Sequence, residues 1–471
     1  MPAVKTAFAS PWKCLNIRNA SRGDFVLIQV QGPEGSIIAR FRRNRENEDT
    51  LENKLIAYYE ALETETEAAG RAFPVSEDLS QQVEEAVEHI CADYRKYVEA
   101  DALLDVYTKD HLVCGKITRE TESFQQYLSL LRPFHSIVGE EKPTTRGQNE
   151  VISFGDLIFD FAFQSFRGTC FKCSVPKHHI ENMVFKGFSF ADFLAFPRQD
   201  FECRRDAMYR EMKVLSKVIP PHEHIIGASE FQVAATASSP FITGVLYPLY
   251  SRGTVAQALK MNSSLGKRVP LVLKAKWAFQ IVSAMAHTHF NAPSWHQDIK
   301  PSNFLLDEND DIVIIDWEQG VGGITTFIAA PEANGCLEVH SSASAGTEKL
   351  IYEEYQGPPR INNIIGTPKW DVFPQWKIDC PRAVELADVY GIGVSLFVIL
   401  EEIPLNNAPG NEDYAGVRVS WTSRSADVPQ SWKDVVELCI AKDPNERMGL
   451  SQLVEFWRHE YQDLLEKDGQ L

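Results

Sequence analysis

Between His296 and Glu318 the chain reads HQDIKPSNFLLDENDDIVIIDWE, and this run constrains the fold more tightly than any other. A polar loop carrying Asp298, Lys300 and Asn303 follows the apolar, helically periodic stretch 271–290. Two short apolar runs come next, Phe304 to Leu306 and Ile312 to Ile315, joined by DENDD. Apolar runs around a polar turn predict a tight hairpin, which returns Asp316 to the neighbourhood of Asp298 and Asn303. Two carboxylates and an amide at this spacing suit phosphoryl transfer. That reaction asks a protein to orient a hydroxyl and to offset phosphate charge, with little covalent chemistry from side chains. Asn303 and Asp316 supply the hard oxygen atoms that magnesium takes alongside a nucleotide's phosphates. A polar hairpin with solvated acids is the plainer reading, and the whole string in order weighs against it.

HQDIKPSNFLLD resembles the catalytic loop of eukaryotic-type protein kinases, and Asp316-Trp317-Glu318 stands where that family has DFG. The resemblance covers roughly residues 150 to 465. It implies an α+β, bilobal protein-kinase-like fold, with a small β-rich lobe and a larger helical lobe, using ATP and Mg2+. It implies Asp298 as catalytic base, Lys300 as the contact to the transferred phosphate, and Asn303 with Asp316 as metal ligands. Lysine two places after the catalytic Asp is the serine/threonine-kinase form, so protein hydroxyls are the expected acceptors. The general likeness is to an atypical, fungal-type member. Gln297 stands where the family carries the arginine that receives a phosphorylated activation loop, so activity is not expected to depend on such a phosphate. Trp317 and Glu318 replace Phe and Gly, and glutamate lacks the backbone freedom of glycine. Glu318 reads as a turn cap or as an added metal ligand.

DAMYREMKVLSKVIPPHEHIIG resembles the kinase C-helix, with Glu211 in the position that pairs the phosphate-anchoring lysine. Met208, Met212, Val214 and Leu215 take one broad side and leave Glu211 to face a cleft; an exposed helix acid is the alternative. Lys186 in MVFKGFSF occupies the anchoring position, with Lys172 and Lys177 as rivals. Its distance of about 25 residues from Glu211 leaves room for a loop and a helix start. ITGVLYPLYSRGTVAQAL resembles the strand, hinge and helix that line an adenine pocket, which makes Tyr247 the gatekeeper and Leu249 a hinge residue whose backbone meets adenine. A buried strand ending in a glycine turn reads the same way. Between residues 150 and 180 Gly155 and Gly168 stand alone, so the backbone cannot approach phosphate as a glycine-rich loop does.

LADVYGIGVSLFVIL reads as a buried helix beginning near Asp388, and it resembles the large-lobe helix whose first-turn Asp holds the catalytic-loop backbone. DPNERM resembles the late motif in which Arg447 pairs with the glutamate of an APE motif. Two candidates fit that motif. Ala330-Pro331-Glu332 is preferred, with Thr325 at the place of the threonine that steadies the catalytic Asp. Gly366, Thr367, Pro374 and Gln375 form the other, but a glutamine cannot complete the ion pair. Residues 333–380 then read as an insertion, flexible at HSSASAGTEK and, at KWDVFPQW, aromatic enough to dock on something.

Before residue 140 the texture differs. WKCLNIR, DFVLIQV and SIIARFRR alternate apolar and polar residues, and QGPEG between the last two reads as a hairpin, so a small sheet is expected. Ser76 opens a long amphipathic helix read through to Tyr107, with Leu79, Val83, Val87, Ile90 and Tyr94 at helical spacing. Residues 1–140 are therefore an α+β region, 139–149 a linker, and 150–465 the catalytic domain. At 471 residues, two domains are expected in any case. A formal charge of −18 disfavours nucleic acid and anionic membrane, leaving a protein substrate or binding partner. Nine scattered cysteines do not make a disulfide framework, which points to a reducing intracellular setting, the cytoplasm. Cys170 and Cys173 read as two cysteines on a strand rather than half a zinc site. The longest apolar run, 389–400, is too short to span a bilayer, so a soluble protein is expected. Two other function classes stay open. A pseudokinase that binds nucleotide or scaffolds partners accounts for the missing glycine loop. A small-molecule phosphotransferase of the aminoglycoside or choline kinase type accounts for Asp-Trp-Glu, but Lys300-Pro301, Asp388 and DPNER speak against it.

Overall fold

The computed structural model describes residues 12–19, 24–32, 35–66, 75–91, 100–139, 150–163, 169–318, 330–333, 335–344, 347–358, 372–404, 418–467 and 469. They fall into two compact units, Met1–Met208 with Ser229–Leu249, and Tyr209–Ala228 with Tyr250–Leu471.

In the first unit, β1 (Lys13–Asn19), β2 (Phe25–Gly32) and β3 (Gly35–Arg42) form an antiparallel meander whose second ladder runs out to Gly32 opposite Gly35, as QGPEG predicts. Helices α1 (Leu51–Thr66) and α2 (Glu77–Cys91) follow. Strand β4 (Ala102–Lys109) then lies parallel to β3, and β5 (Leu112–Arg119) completes the order β1-β2-β3-β4-β5. Ile17, Val26, Ile28 and Phe41 of the sheet share one core with Leu55, Tyr59, Val83 and Val87 of the helices. The helix read from Ser76 to Tyr107 is corrected here: it is described to Cys91, ALLDVY is strand β4, and Tyr94 lies outside the described residues. Leu103 and Leu104 are both 0 % exposed, so neighbouring residues are buried on opposite faces and the alternation that marks a strand is lost. The turn to β5 puts Asp110 and His111 in the left-handed region (φ 48° and 63°), as a two-residue hairpin demands.

Helix α3 (Thr121–Leu130), β6 (Arg132–Pro133) and α4 (Phe134–Val138) lead to the second sheet. It comprises β7 (Glu150–Ser153), β8 (Ile158–Phe163), β9 (Thr169–Val175), β10 (Ile180–Gly187), β11 (Phe231–Ala234) and β12 (Phe241–Pro248), in the order β7-β11-β12-β10-β9-β8, with β6 also paired to β12. Between β10 and β11 run α5 (Phe190–Ala195), opened by a Ser189–Asp192 capping box, and α6 (Arg198–Lys213). The two sheets are joined. Leu15 of β1 belongs to the core of the second sheet, and Gln31 Oε1 accepts the Phe159 N–H at 3.0 Å. That N–H sits at a bulge between Phe159 and Phe161, where Asp160 bridges Lys13 and Lys172 at 2.9 Å each.

In the second unit, α7 (Val255–Ser264) is capped by Thr254 and Gln257, and α8 (Leu271–Asn291) precedes the hairpin β13 (Phe304–Leu306) and β14 (Ile312–Ile314). Strands β15 (Leu337–Ser344) and β16 (Thr347–Glu354) then pair in full register. The stretch expected to be flexible is thus largely a β-ribbon, with 345–346 outside the described residues. Helices α9 (Phe373–Asp379), α10 (Pro381–Glu401), α11 (Gln430–Cys439) and α12 (Leu450–Lys467) complete the unit. Phe373 and Trp376 pack with Val339 and Leu350 of the ribbon and with Ala383 and Ala387 of α10, so these aromatics dock within their own unit; Trp370 lies outside the described residues. Helix α10 begins at Pro381, about two turns before Asp388 and earlier than the sequence reading placed it. By length and composition α10 is long and apolar enough to cross a membrane, unlike the shorter run 389–400 read from the sequence, but 94 % of its most apolar window lies buried, as in a core helix.

Candidate active site

The hairpin that delivers Asp316 is held from behind by α8. Trp277 Nε1 donates to the Asp310 carbonyl at 2.9 Å, and Gln280 Oε1 accepts the Ile312 N–H at 2.9 Å. Within the turn, Asp307 Oδ1 accepts the N–H groups of Asn309 and Asp311 at 2.8 Å each. Burial would raise the Asp311 carboxyl, but hydrogen bonds from Lys276 and Gln280 hold it below its ordinary value. On the other side of β14, the Ile226 N–H donates to the Ile314 carbonyl at 3.0 Å and the Ile314 N–H to the His224 carbonyl at 2.9 Å. His222, at the start of this strap, is half-buried against His287, and burial, with His287 and His224 adding to it, pushes its imidazole down to about 4.

Asp388 organises the loop ahead of the hairpin. It is 2 % exposed, accepts the His296 and Gln297 N–H groups at 3.0 and 2.9 Å, and lies 2.8 Å from His289 Nε2. A carboxylate buried this deeply needs such donors to offset its lost hydration. Gln297 adopts a left-handed backbone (φ 72°), and beyond it the Ile299 carbonyl takes the Ser395 hydroxyl at 2.9 Å. His296 accepts the Asp298 N–H on Nδ1 (3.2 Å), so Nε2 carries the proton it gives to the Ile315 carbonyl (2.9 Å). Its ring meets that of Trp317 edge-on at 4.6 Å. Trp317 is 0 % exposed, and its indole N–H finds the Ile314 carbonyl at 2.9 Å, which a phenylalanine there has no means to do.

The three loop residues singled out by spacing are brought together and buried. Lys300 Nζ lies 3.1 Å from Asp298 Oδ2, and Asn303 Nδ2 donates to the Asp298 carbonyl (2.8 Å) and to Oδ2 (3.1 Å). With its nitrogen turned to Asp298, Asn303 has its amide oxygen on the other side for a cation. The Asn303 carbonyl accepts the Ile315 N–H at 3.0 Å, which ties the loop to the residue preceding Asp316. Asp316 is left-handed (φ 66°), and one carboxylate oxygen each from Asp316, Glu211 and Glu318 lie within 4.8 Å of one another. Glu318 therefore sides with the acids. An oxygen-only donor set matches magnesium rather than zinc.

Further along the chain, Arg447 grips Glu332 with both terminal nitrogens, at 2.5 and 3.0 Å, and donates to the Leu386 and Ala441 carbonyls at 3.0 Å each. Gln375 bonds Asp379 on its own helix instead. Glu332 is the ion-pair partner, as the sequence preferred. Thr325, Gly366, Thr367 and Gly168 lie outside the described residues.

Residues 195–332 match the family model described as the protein kinase domain, a stretch that takes in Glu211, the loop, the hairpin and Glu332. Over that stretch the chain is similar to the protein kinase domain. Among curated proteins it is similar to a mitogen-activated protein kinase kinase kinase 7-like protein of Drosophila melanogaster, 23 % identical over 204 residues, which are 41 % of this chain and 43 % of that protein. It is also similar to the serine/threonine-protein kinase PknD of Chlamydia muridarum, 23 % identical over 262 residues (53 % and 26 %). CBL-interacting protein kinase 22 of Oryza sativa is 27 % identical over 190 residues (40 % and 34 %). The chain spans less than half the length of each of these relatives. A β-rich first unit and a mainly helical second unit agree with the α+β kinase fold.

Of the other residues assigned to the kinase site, Glu211 lies in the second unit, while Lys186, Tyr247 and Leu249 lie in the first. Lys186 stands half-buried on β10, between Cys170 of β9 and Val245 of β12. Its rivals are engaged locally, Lys172 with Asp160 and Lys177 with Asp156. Tyr247 is 6 % exposed on β12, opposite Val184. The expectation for Leu249 is narrowed: its N–H donates to the Asn182 carbonyl at 2.9 Å, so only its carbonyl is left to meet a ligand. Sequence reasoning also missed His289 and Asn445. His289 left a trace as a polar residue within an apolar helical stretch; Asn445 left none. Asn445 accepts the Leu350 N–H at 2.8 Å and donates to the Leu350 carbonyl at 3.0 Å, clamping the ribbon.

Proposed function

We propose that the protein transfers the terminal phosphate of ATP, with Mg2+, to serine or threonine hydroxyls of protein substrates. The observation that carries this reading is the buried group of Asp298, Lys300 and Asn303, its backbone fixed by Asp388 and tied through Ile315 to Asp316. Asp298 orients the acceptor hydroxyl and takes its proton as the new oxygen–phosphorus bond forms and the bond to the ADP oxygen breaks. Lys300 offsets charge on the transferred group. Bound Mg2+ supplies neutralisation of the phosphates, and Asn303 Oδ1 and the Asp316 carboxylate would hold it. Lys186 would anchor phosphate and Tyr247 would line the adenine pocket. Lys300 and the serine/threonine-protein kinase among the relatives support the choice of hydroxyl. Gln297 supports activity that does not wait on a loop phosphate. Nine free thiols favour an intracellular setting.

The test uses purified protein, Mg2+ and labelled ATP, beside Asp298→Asn and Asp316→Asn. Wild type is expected to label itself or a generic protein substrate faster than either variant by on the order of 10²-fold. Labelling no greater than in the variants overturns the reading. If ATP and Mg2+ then still raise the melting temperature, the pseudokinase reading takes its place. Transfer to aminoglycosides or choline but not to protein would move the assignment to a small-molecule phosphotransferase.

A further inference from the structure

We propose that the N-terminal region is an intramolecular positioning element for the C-helix α6, acting through Tyr127 and Arg205; this rests on the kinase reading above. Tyr127, on α3, is 2 % exposed. Its hydroxyl donates to the Phe188 carbonyl at 3.0 Å and also meets the Thr243 hydroxyl of β12. Phe188 is the residue at which the chain leaves β10, the strand of Lys186, for α5. The Tyr127 ring lies 5.7 Å from Phe190 and 5.8 Å from Phe193 on α5, and 6.0 Å from Phe201 on α6. Phe124, one turn earlier, meets Phe190 edge-on at 5.1 Å.

Arg205 makes the second contact. It projects from α6, is 6 % exposed, and donates to the Leu130 carbonyl at 2.7 Å. That carbonyl belongs to the last turn of α3, where a cation is favoured. On another side, Ala191 and Ala195 of α5 pack against Leu27 of the N-terminal sheet, beside Phe25 and Ile38. Residues that precede the family match therefore hold α5 and the first turns of α6. The same helix carries Glu211 further along its length. With Gln297 in place of a phosphate-receiving arginine, the chain lacks that route to an ordered site. A permanent grip on α6 from within the chain provides another.

The experiment compares full-length wild type with Tyr127→Phe, Arg205→Met, Arg205→Lys and, as a control, Glu52→Gln. Glu52 bonds the Thr108 N–H and hydroxyl at 2.6 and 2.8 Å inside the N-terminal sheet, so its loss weakens that sheet at a different place. Tyr127→Phe and Arg205→Met are expected to lower kcat on the order of ten-fold with the peptide KM unchanged. Amide exchange across 198–213 should quicken in both. Arg205→Lys, which keeps a donor in reach of Leu130, should restore most of kcat, and Glu52→Gln should lower the melting temperature with kcat intact. Two results overturn the proposal: wild-type kcat in both Tyr127→Phe and Arg205→Met, or a loss of kcat that follows melting temperature alike in all variants, Glu52→Gln included. Wild type no faster than Asp298→Asn would instead remove the kinase reading beneath it.

Discussion

The catalytic loop and the β8–β9 strand pair are secured by opposite means. Around Asp298 the described hydrogen bonds come from residues of the same unit: Asp388, His289 and Ser395 on helices, His296 and Asn303 from the loop itself. Around β8 the bonds come from far back in the chain, with Gln31 on the Phe159 N–H and Lys13 on Asp160. Gln31 and Lys13 precede the stretch that matches the kinase family. The loop proposed to carry the chemistry thus draws its described bonds from its own unit, whereas the sheet bearing Lys186 is braced by the N-terminal region.

The comparison can be broken at its strongest point first. Asp388→Ala strips the acceptor from two buried loop N–H groups, each worth about 1–3 kcal/mol, and should lower kcat by on the order of 10² through misplacement of Asp298. A variant with unchanged kcat would show that the loop holds itself without the helix. Gln31→Leu tests the other side. It leaves the Phe159 N–H without its acceptor, at a cost of about 1–3 kcal/mol, and should raise KM for ATP with little change in kcat. Equal effects on both constants would erase the distinction between the two regions. The smallest effect is with pH. His222 titrates at about 4 when folded, below its ordinary 6.5, so the unfolded chain binds the proton first. Stability from this group is complete above pH 6.5 and declines as pH falls towards 4. Melting temperatures should drop across that window in wild type and less steeply in His222→Asn; parallel curves would dismiss the effect.

How much of this was legible in the sequence depended on the range of the interactions. The loop, the β13–β14 hairpin, α10 and the Arg447 partner were all readable, because each rests on short-range periodicity or on motifs in a fixed order. Strand β4 was read as helix because burial on both faces removes the two-residue alternation. Tyr127 and Arg205 were invisible, since their partners Phe188 and Leu130 lie 61 and 75 residues away and nothing local marks the bond. The Leu249 backbone was offered to a ligand, and that its N–H is already taken was hidden for a similar reason. Its true acceptor, Asn182, is on another strand, in a left-handed conformation that its letter only permits. Trp317 was noticed as a departure, but the acceptor that makes an indole fit, the Ile314 carbonyl, took the structure to find.

The clamp of Asn445 on Leu350 bears on how this chain behaves in a crowd. A two-stranded ribbon has an open row of N–H and carbonyl groups along each side, and such rows recruit strands from other molecules. At Leu350 both groups face a side-chain amide that donates and accepts as a neighbouring strand would. The β15–β16 ribbon could therefore enter a kinase domain without bringing a fully exposed adhesive edge.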